Sequence, residues 1–344
     1  MADQTLISWA HATFNPWWGC AKISPACANC YAATWAKRCG RPELWATSQR
    51  WRTSEKNWAE PLKWDRQARA EGKRIRVFCA SMADVFDNEV DPQWRAALFQ
   101  LISRTPNLDW LLLSKRIGNA HSMIDAATAS DYYPAWSDAQ LGNVWLGATI
   151  ANQAEADRDI PKLLATPARV RFLSIEPMLG PVNLTRLRPP DLTWLDALSG
   201  RAHDGPSVFA WGSQVDWVIA GGESGHQARP SHPDWFRSLR DQCVAAGVPY
   251  HFKQWGEWWP MSQMPDGVSD SFYDPKYGNG KRESDRYERS PPKRRAVTTT
   301  VLQLNGTESF EFPPGAMTCF KVGKKAAGRT LDGCEWDQFP EPRL

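Results

Sequence analysis

The sequence predicts an α/β protein built on a parallel sheet, and three observations carry the prediction. Short β-rich runs recur along the chain, each run is followed by polar residues, and a helical stretch comes next before the following run. The runs are Arg76–Ala80, Trp110–Leu113, Val144–Ile150, Val170–Ile175, Trp217–Ala220 and Pro249–Phe252. Strands that alternate with helices make βαβ units, which require parallel pairing. Right-handed crossovers then leave two solutions, an open doubly wound sheet or a closed or partial barrel. Both place a ligand site at the carboxyl ends of the strands.

The helices between the runs have recognisable starts. Pro92–Ser103 follows Asp91 as N-cap and has Pro at its first position. Asn152–Leu164 and His232–Ala246 read the same way, the second with Pro233 near its start. The strand ends are polar: Ser81 to Asp84, Ser114-Lys115-Arg116, Thr149 to Asn152, Ser174-Ile175-Glu176-Pro177, Gly221 to Gly225, and Lys253 to Gly256. Six such ends in succession point to a site.

The 344 residues suffice for a sizeable core, so no disulfide framework is required. Lys and Arg number 41 against 38 Asp and Glu, a net charge of +3 that neither demands nor excludes a nucleic-acid partner. With 42% apolar and 23% charged residues the chain is globular, and wholesale disorder is excluded. No fixed-period repeat occurs. The 20 Trp are an excess, consistent either with packing or with stacking on planar ligands such as nucleobases. The amino-terminal MADQTLISWA lacks a basic n-region and an apolar h-region, and no run has the length of a membrane span. The expectation is a cytoplasmic protein with no membrane partner, in a reducing compartment where clustered cysteines signal metal more often than disulfides.

Residues 1–260 are expected to form the α/β domain and 261–344 a C-terminal extension. The stretch 265–295 is rich in Asp, Gly, Ser, Pro and Arg and ends in KRESDRYERSPPKRR, which reads as an exposed basic loop. TTTVLQL and Phe310–Val322 read as short strands that cap the main domain.

The strongest chemical signal is Cys20-x6-Cys27-x2-Cys30. Three soft thiolates in a compact loop, with Gly19, Ser24 and Pro25 to turn the chain, can converge on a metal centre. A structural zinc needs a fourth ligand, with His11 and Cys39 as candidates. A [4Fe–4S] cluster on three cysteines leaves one iron open. A disulfide or three unrelated thiols is the remaining alternative. The loop follows the strand-like Ile7–Phe14 and precedes a helix, so it is the first βα loop of the series, which favours the cluster. Cys39, Cys79, Cys243, Cys319 and Cys334 read as buried small residues. Trp17 and Trp18 would shield a cluster from water.

The pattern Trp18-Gly19-Cys20, Ser24-Pro25-Ala26-Cys27 and Cys30-Tyr31-Ala32 resembles the phage Gp37/Gp68, or three-Cys-motif, family. Further matches are Ser81 to Phe86, Ser174 to Gly180, Gly221 to Gly225, Lys253 to Gly256 and Val322 to Arg329. More distantly the chain is similar to radical SAM enzymes, which carry three cysteines after the first strand of a partial (β/α)6 barrel. That resemblance implies a TIM-like partial (β/α)6 barrel of radical SAM type with an irregular C-terminal extension. It implies a [4Fe–4S] cluster on Cys20, Cys27 and Cys30, and S-adenosylmethionine as second cofactor. An external electron donor would drive its cleavage to a 5′-deoxyadenosyl radical. The first gap is six residues here against three in that superfamily. The Gly221-Gly222-Glu223 run also comes several strands after the superfamily's Gly-Gly-Glu, so its amino-group role is not carried over to Glu223. Ser81 and Asp84 are expected to face the methionine end, and Lys115 or Arg116 to pair with a carboxylate or phosphate. Gly221 and Gly222, with Glu223 beside them, would offer backbone N–H groups to an anion or adenine. Glu176, placed to bind a ribose hydroxyl or act on substrate, and Lys253, ending the last strand near the substrate, are the expected catalytic residues, and a nucleobase or nucleic acid the expected substrate. The rival readings are a non-catalytic zinc- or cluster-containing nucleic-acid-binding protein and a cluster protein that partners another enzyme.

Overall fold

The computed structural model describes residues 5, 7–128, 142–272, 297–309 and 311–341. The basic run at 281–295 lies outside them. Seven parallel strands form the central sheet: β1 (Ala12–Phe14), β2 (Ile75–Cys79), β3 (Leu108–Ser114), β4 (Val144–Thr149), β5 (Val170–Ile175), β6 (Trp217–Gly221) and β7 (Tyr250–Gln254). Their order across the sheet is their order along the chain. Every crossover therefore steps the same way, which curls the sheet into a half-barrel and rules out the doubly wound alternative, whose strand order reverses. The expected count of six is corrected to seven. The strand-like Ile7–Phe14 supplies the seventh strand beside the six β-rich runs, as the three residues of β1.

Six longer helices connect or flank the strands: α1 (Tyr31–Arg38), α2 (Glu60–Glu71), α3 (Pro92–Ser103), α4 (Ala120–Thr128), α5 (Gln153–Leu164) and α6 (Pro233–Ala246). The caps are those the sequence proposes. Asp91 accepts from Gln93 N–H at 2.8 Å, Asn152 from Glu155 N–H at 3.0 Å and His232 Nδ1 from Asp234 N–H at 3.2 Å.

Strand residues alternate between two cores. Val77, Trp110, Leu112, Leu146, Leu173, Val218, Tyr250 and Phe252 join the large helix-facing cluster. Phe78, Leu111, Trp145, Phe172, Trp217 and Ile219, with Trp9, form a separate cluster on the concave face. Trp145 and Trp217 meet edge-on at 6.1 Å, and Phe172 lies 6.4 Å from Trp9. Gly147 makes this packing possible, because a Cβ there would fall 2.3 Å from the Phe172 ring. Aromatic side chains thus fill the concave face toward the amino ends of the strands.

The C-terminal region is less irregular than expected. Trp258–Pro260, Met317–Lys321 and Thr299–Leu302 form a three-stranded antiparallel sheet. The tail then runs antiparallel along the outer edge of β7: Phe252 N–H donates to Trp336 O at 2.9 Å and Gln338 N–H to Tyr250 O at 3.3 Å. The otherwise open edge is covered. No helix among the described residues is long and apolar enough to cross a membrane.

Candidate functional site

Moving along each strand by two residues keeps the side chain on the same face. Beyond the concave aromatic layer this register brings up Lys115 after Leu113, Thr149 after Gly147, Glu176 after Ser174, and Lys253 after His251. The carboxyl end of the concave face is therefore polar while its amino end is aromatic. Lys253 Nζ donates to Glu176 Oε2 at 2.6 Å, and Ser174 Oγ donates to Glu176 Oε1 at 3.1 Å. Lys115 Nζ reaches Thr149 Oγ1 at 3.4 Å. Lys253 also stands 6.0 Å from the Trp9 ring, where the polar layer meets the aromatic one. Lys324, from the C-terminal region, comes close enough to Lys253 and Glu176 to feel both. Burial and the Lys253 charge lower its affinity for its proton.

The loop after β1 crosses this edge. Gly19 has φ +115°, and a Cβ there would meet Arg50 Cδ at 2.9 Å and Gln49 O at 3.0 Å, so no other residue enters the turn without strain. Gly19 N–H donates to Met82 O and Cys20 N–H to Leu44 O, both at 3.1 Å. Asn15, just past β1, accepts from Met82 N–H at 2.8 Å through Oδ1 and is bonded to Ser81 Oγ. A single turn at Pro25–Cys27 is capped by Ser24, whose hydroxyl accepts from Ala26 N–H. Cys27 is buried, and Cys20 and Cys30 are half-buried. α1 starts directly after Cys30. Tyr31 is 60% exposed, yet its hydroxyl donates to Ser81 O at 2.7 Å. Desolvation of that inward-turned hydroxyl, then the nearby Cys30 sulfur, raises its pKa. The hydroxyl thus ties the start of α1 to the chain just past the end of β2, while the ring stays exposed beside the strand ends.

Two clasps hold the cysteine loop over the strand ends. In the first, Arg116 donates to Cys20 Sγ at 3.4 Å and to Ala21 O at 3.0 Å. Burial, and then Asp84, push the Cys20 thiol up to about 11, with Arg116 opposing. Asp84 is buried and accepts from Ser114 Oγ at 2.7 Å, Phe86 N–H at 3.0 Å and Lys115 N–H at 3.0 Å. Its carboxylate is spent on joining the β2 and β3 ends, with Arg116 at 3.4 Å. In the second clasp, Glu223 accepts from Asn29 Nδ2 at 3.0 Å and from Arg229 through N–H, Nε and Nη2 at 2.8, 2.9 and 2.7 Å. Arg229 also donates to Pro25 O at 3.0 Å. Burial raises the Glu223 pKa, but the Arg229 and Asn29 bonds outweigh it and hold the carboxyl below its usual range.

The structure thus gathers Cys20, Cys27, Cys30, Ser81, Asp84, Lys115, Arg116, Glu176, Glu223 and Lys253 along one edge. Gly221 and Gly222 serve a different purpose from the expected anion nest. Gly222 N–H donates to Gln254 O at 2.9 Å, and a Cβ on Gly222 would lie 1.9 Å from Trp255 O. These glycines let the β6 and β7 loops touch backbone to backbone. Cys39 and Cys334 are exposed, not buried as expected, whereas Cys79, Cys243 and Cys319 are buried. Sequence reasoning missed Asn29, Arg229 and Lys324. The residue before Cys30 is polar, and the GKK run is the only other signal.

The donor set is three soft thiols outside any disulfide. Among the described residues, no three Cys, His, Asp or Glu side chains are grouped so as to hold a single metal ion. The two candidate fourth ligands lie elsewhere. His11 Nδ1 accepts from Arg76 N–H at the amino end of β2, and Cys39 caps the far end of α1, about 12 Å of helix rise from Cys30. No curated protein and no solved structure matches the chain. One family does match, over residues 4–340, and its description is "Protein of unknown function (DUF5131)". The match takes in β1 to β7, the cysteine loop, both clasps and the C-terminal tail, and the chain belongs to the DUF5131 family.

Proposed function

We propose that the chain is an iron–sulfur enzyme of radical SAM-like type. Cys20, Cys27 and Cys30 would hold a [4Fe–4S] cluster, and the cleft would bind S-adenosylmethionine beside a nucleobase or nucleic-acid substrate. One observation carries the reading. The three free thiols sit on the loop after the first strand of a sequentially ordered parallel half-barrel, clasped over the polar strand ends. A cluster distributes its thiolates over separate irons, which suits three sulfurs along a pinned loop. A tetrahedral zinc needs four donors about 2.0–2.3 Å from one point. When bound, such a cluster supplies one electron and an open iron position.

The chain's own residues do the rest. The Arg116 and Glu223 clasps fasten the loop that carries the thiols to the strand ends. Tyr31, whose hydroxyl donates to Ser81 O, presents its exposed ring beside the strand ends. Glu176 and Lys253 form a short charged pair at the cleft floor, able to orient a hydroxyl or amino group of a ligand from fixed positions. Trp9, Trp145, Phe172 and Trp217 seal the barrel beneath, keeping water from the reacting end.

The deciding experiment is iron, zinc and acid-labile sulfide analysis of protein purified without oxygen, wild type beside Cys27→Ala. The expected result is a brown wild type with about four irons and four sulfides per chain, and a bleached variant. Reduction with S-adenosylmethionine present should then release 5′-deoxyadenosine. A colourless wild type carrying one zinc refutes the proposal.

A further inference from the structure

The tryptophan excess is only partly explained by packing. Trp9, Trp17, Trp110, Trp217 and Trp255 are among the largest fully buried side chains, but Trp35 and Trp51 are 48% and 40% exposed. Both stand edge-on against Trp18, with ring centroids 5.3 and 5.4 Å away, and Trp18 lies two residues before Cys20. Trp18 and Trp51 are also paired across a two-residue antiparallel ladder that holds the rings in place. The Arg41 guanidinium lies 4.7 Å above the Trp51 ring. Exposing two indoles to water is unfavourable, and nothing in the local fold requires it.

The same segment concentrates positive charge. Between Cys20 and Arg52 there are six Lys or Arg and one Glu, a net +5 in a chain whose total is +3. Lys22, Lys37, Arg38 and Arg41 are exposed. Lys37 and Arg38 occupy the last turn of α1, beside Trp35. Fixed, exposed aromatic faces interleaved with cations match what single-stranded nucleic acid offers, which is unstacked bases and a phosphate backbone. A duplex hides its base faces, and an acidic protein surface, the rival occupant for the same indoles and cations, is separated by the competition arm of the test.

We infer that the Cys20–Arg52 lobe is a docking surface for single-stranded nucleic acid. Bases stack on Trp35 and on the side of Trp51 that Arg41 leaves open, and Lys37, Arg38 and Arg41 meet the phosphates. Binding stands without any cluster. Only delivery of a bound strand to the neighbouring cleft rests on the proposed function.

The test is fluorescence anisotropy of labelled oligothymidylate and oligouridylate of about 15 nucleotides, with a duplex of equal length, titrated with the full chain over a salt series. Single strands should bind more tightly than the duplex, with a log–log salt slope of about −2 from three phosphate contacts. Trp35→Leu with Trp51→Leu should weaken binding by about fivefold or more per ring and leave the salt slope unchanged. Trp35→Phe with Trp51→Phe, which keeps a stacking face, should retain most of the affinity, so a folding defect cannot imitate the result. Arg38→Gln with Arg41→Gln should flatten the slope by about 1.4. Phe209→Ala, at an exposed position on the 201–210 hairpin, serves as the neutral control. The inference is overturned by no binding, by equal affinity for duplex and single strand, by insensitivity to the double Leu variant, or by loss of binding on neutralising Lys293, Arg294 and Arg295 alone. Equal competition by polyglutamate would likewise assign the surface to an acidic protein.

Discussion

Glu223→Ala should unfasten the cysteine loop without unfolding the barrel. Glu223 is 5% exposed and accepts four hydrogen bonds, three of them from Arg229 and one from Asn29, the residue before Cys30. Removing one partner of a buried ion pair costs about 3–5 kcal/mol. Here the orphaned Arg229 side chain is 34% exposed and can rehydrate, which reduces the cost to about 2–3 kcal/mol. Because the broken bonds join two loops and no strand pairing is lost, that energy should fall on local opening, raising its equilibrium by about 30- to 150-fold. Cys27 is 8% exposed in the closed loop and reports the opening directly. Its alkylation rate, followed by peptide mass spectrometry on protein stripped of metal by a chelator, should rise by that factor while Cys243, on the buried face of α6, stays protected. Because the folded pKa of Glu223 is depressed, its contribution is present above the ordinary carboxylate range and fades as pH falls through the lower folded value. The wild-type loop should therefore loosen in acid and the variant should not respond. A Cys27 rate within twofold of wild type would refute the clasp.

Two further outcomes follow from the same edge. Gly222→Ala places a Cβ 1.9 Å from Trp255 O and disturbs the Gly222–Gln254 bond, for about 3 kcal/mol or more of lost stability; Gly225→Ala, at φ +109° with nothing within 4 Å, should cost about 1–2 kcal/mol, and urea midpoints in the reverse order would count against the backbone contact. His251 is fully buried, 2.9 Å from Ser8 Oγ, and burial pushes its imidazole down to about 4 against the pull of Asp337, with Arg329 and Lys253 adding to the lowering. The unfolded chain takes up that proton near 6.5, so wild-type stability should decline as pH falls from 6.5 toward 4, by up to about 3 kcal/mol, and level off below. His251→Gln should flatten that limb in urea titrations; an unchanged limb would place the acid sensitivity elsewhere.

The fold was legible where the signal is local. Capped helices such as Pro92–Ser103 and β-rich runs such as Val170–Ile175 announce themselves through side-chain periodicity and N-cap chemistry, and their alternation implies parallel pairing. The half-barrel was not legible from periodicity, because curl depends on strand order, which local residues do not encode. The site divides in the same way. Cys20, Cys27 and Cys30 stand out by spacing, and Glu176 and Lys253 by following apolar strands. The partners of Glu223 could not be read, since Asn29 and Arg229 reach it across 194 and 6 residues of chain, and such pairings exist only after folding. The Gly221-Gly222 pair misled for a related reason. A Gly-Gly turn serves an anion or a close backbone neighbour equally well, and here Trp255 O is the neighbour.

The concave face explains why the chemistry collects where it does. A half-barrel is open along one side, so its interior must be filled or flooded. Toward the amino ends, five large aromatic residues fill it, and Gly147 is kept bare to admit Phe172. Toward the carboxyl ends, the same register changes to Lys115, Thr149, Glu176 and Lys253, groups that no surrounding core could bury at so low a cost. Such a layer is tolerable only where solvent or a ligand completes its hydrogen bonds. The first βα loop spans this mouth, and its two charged clasps fasten it to the strand ends. Sulfur donors placed on that loop are held by the strand ends, so any centre they bind would inherit its orientation from the sheet itself.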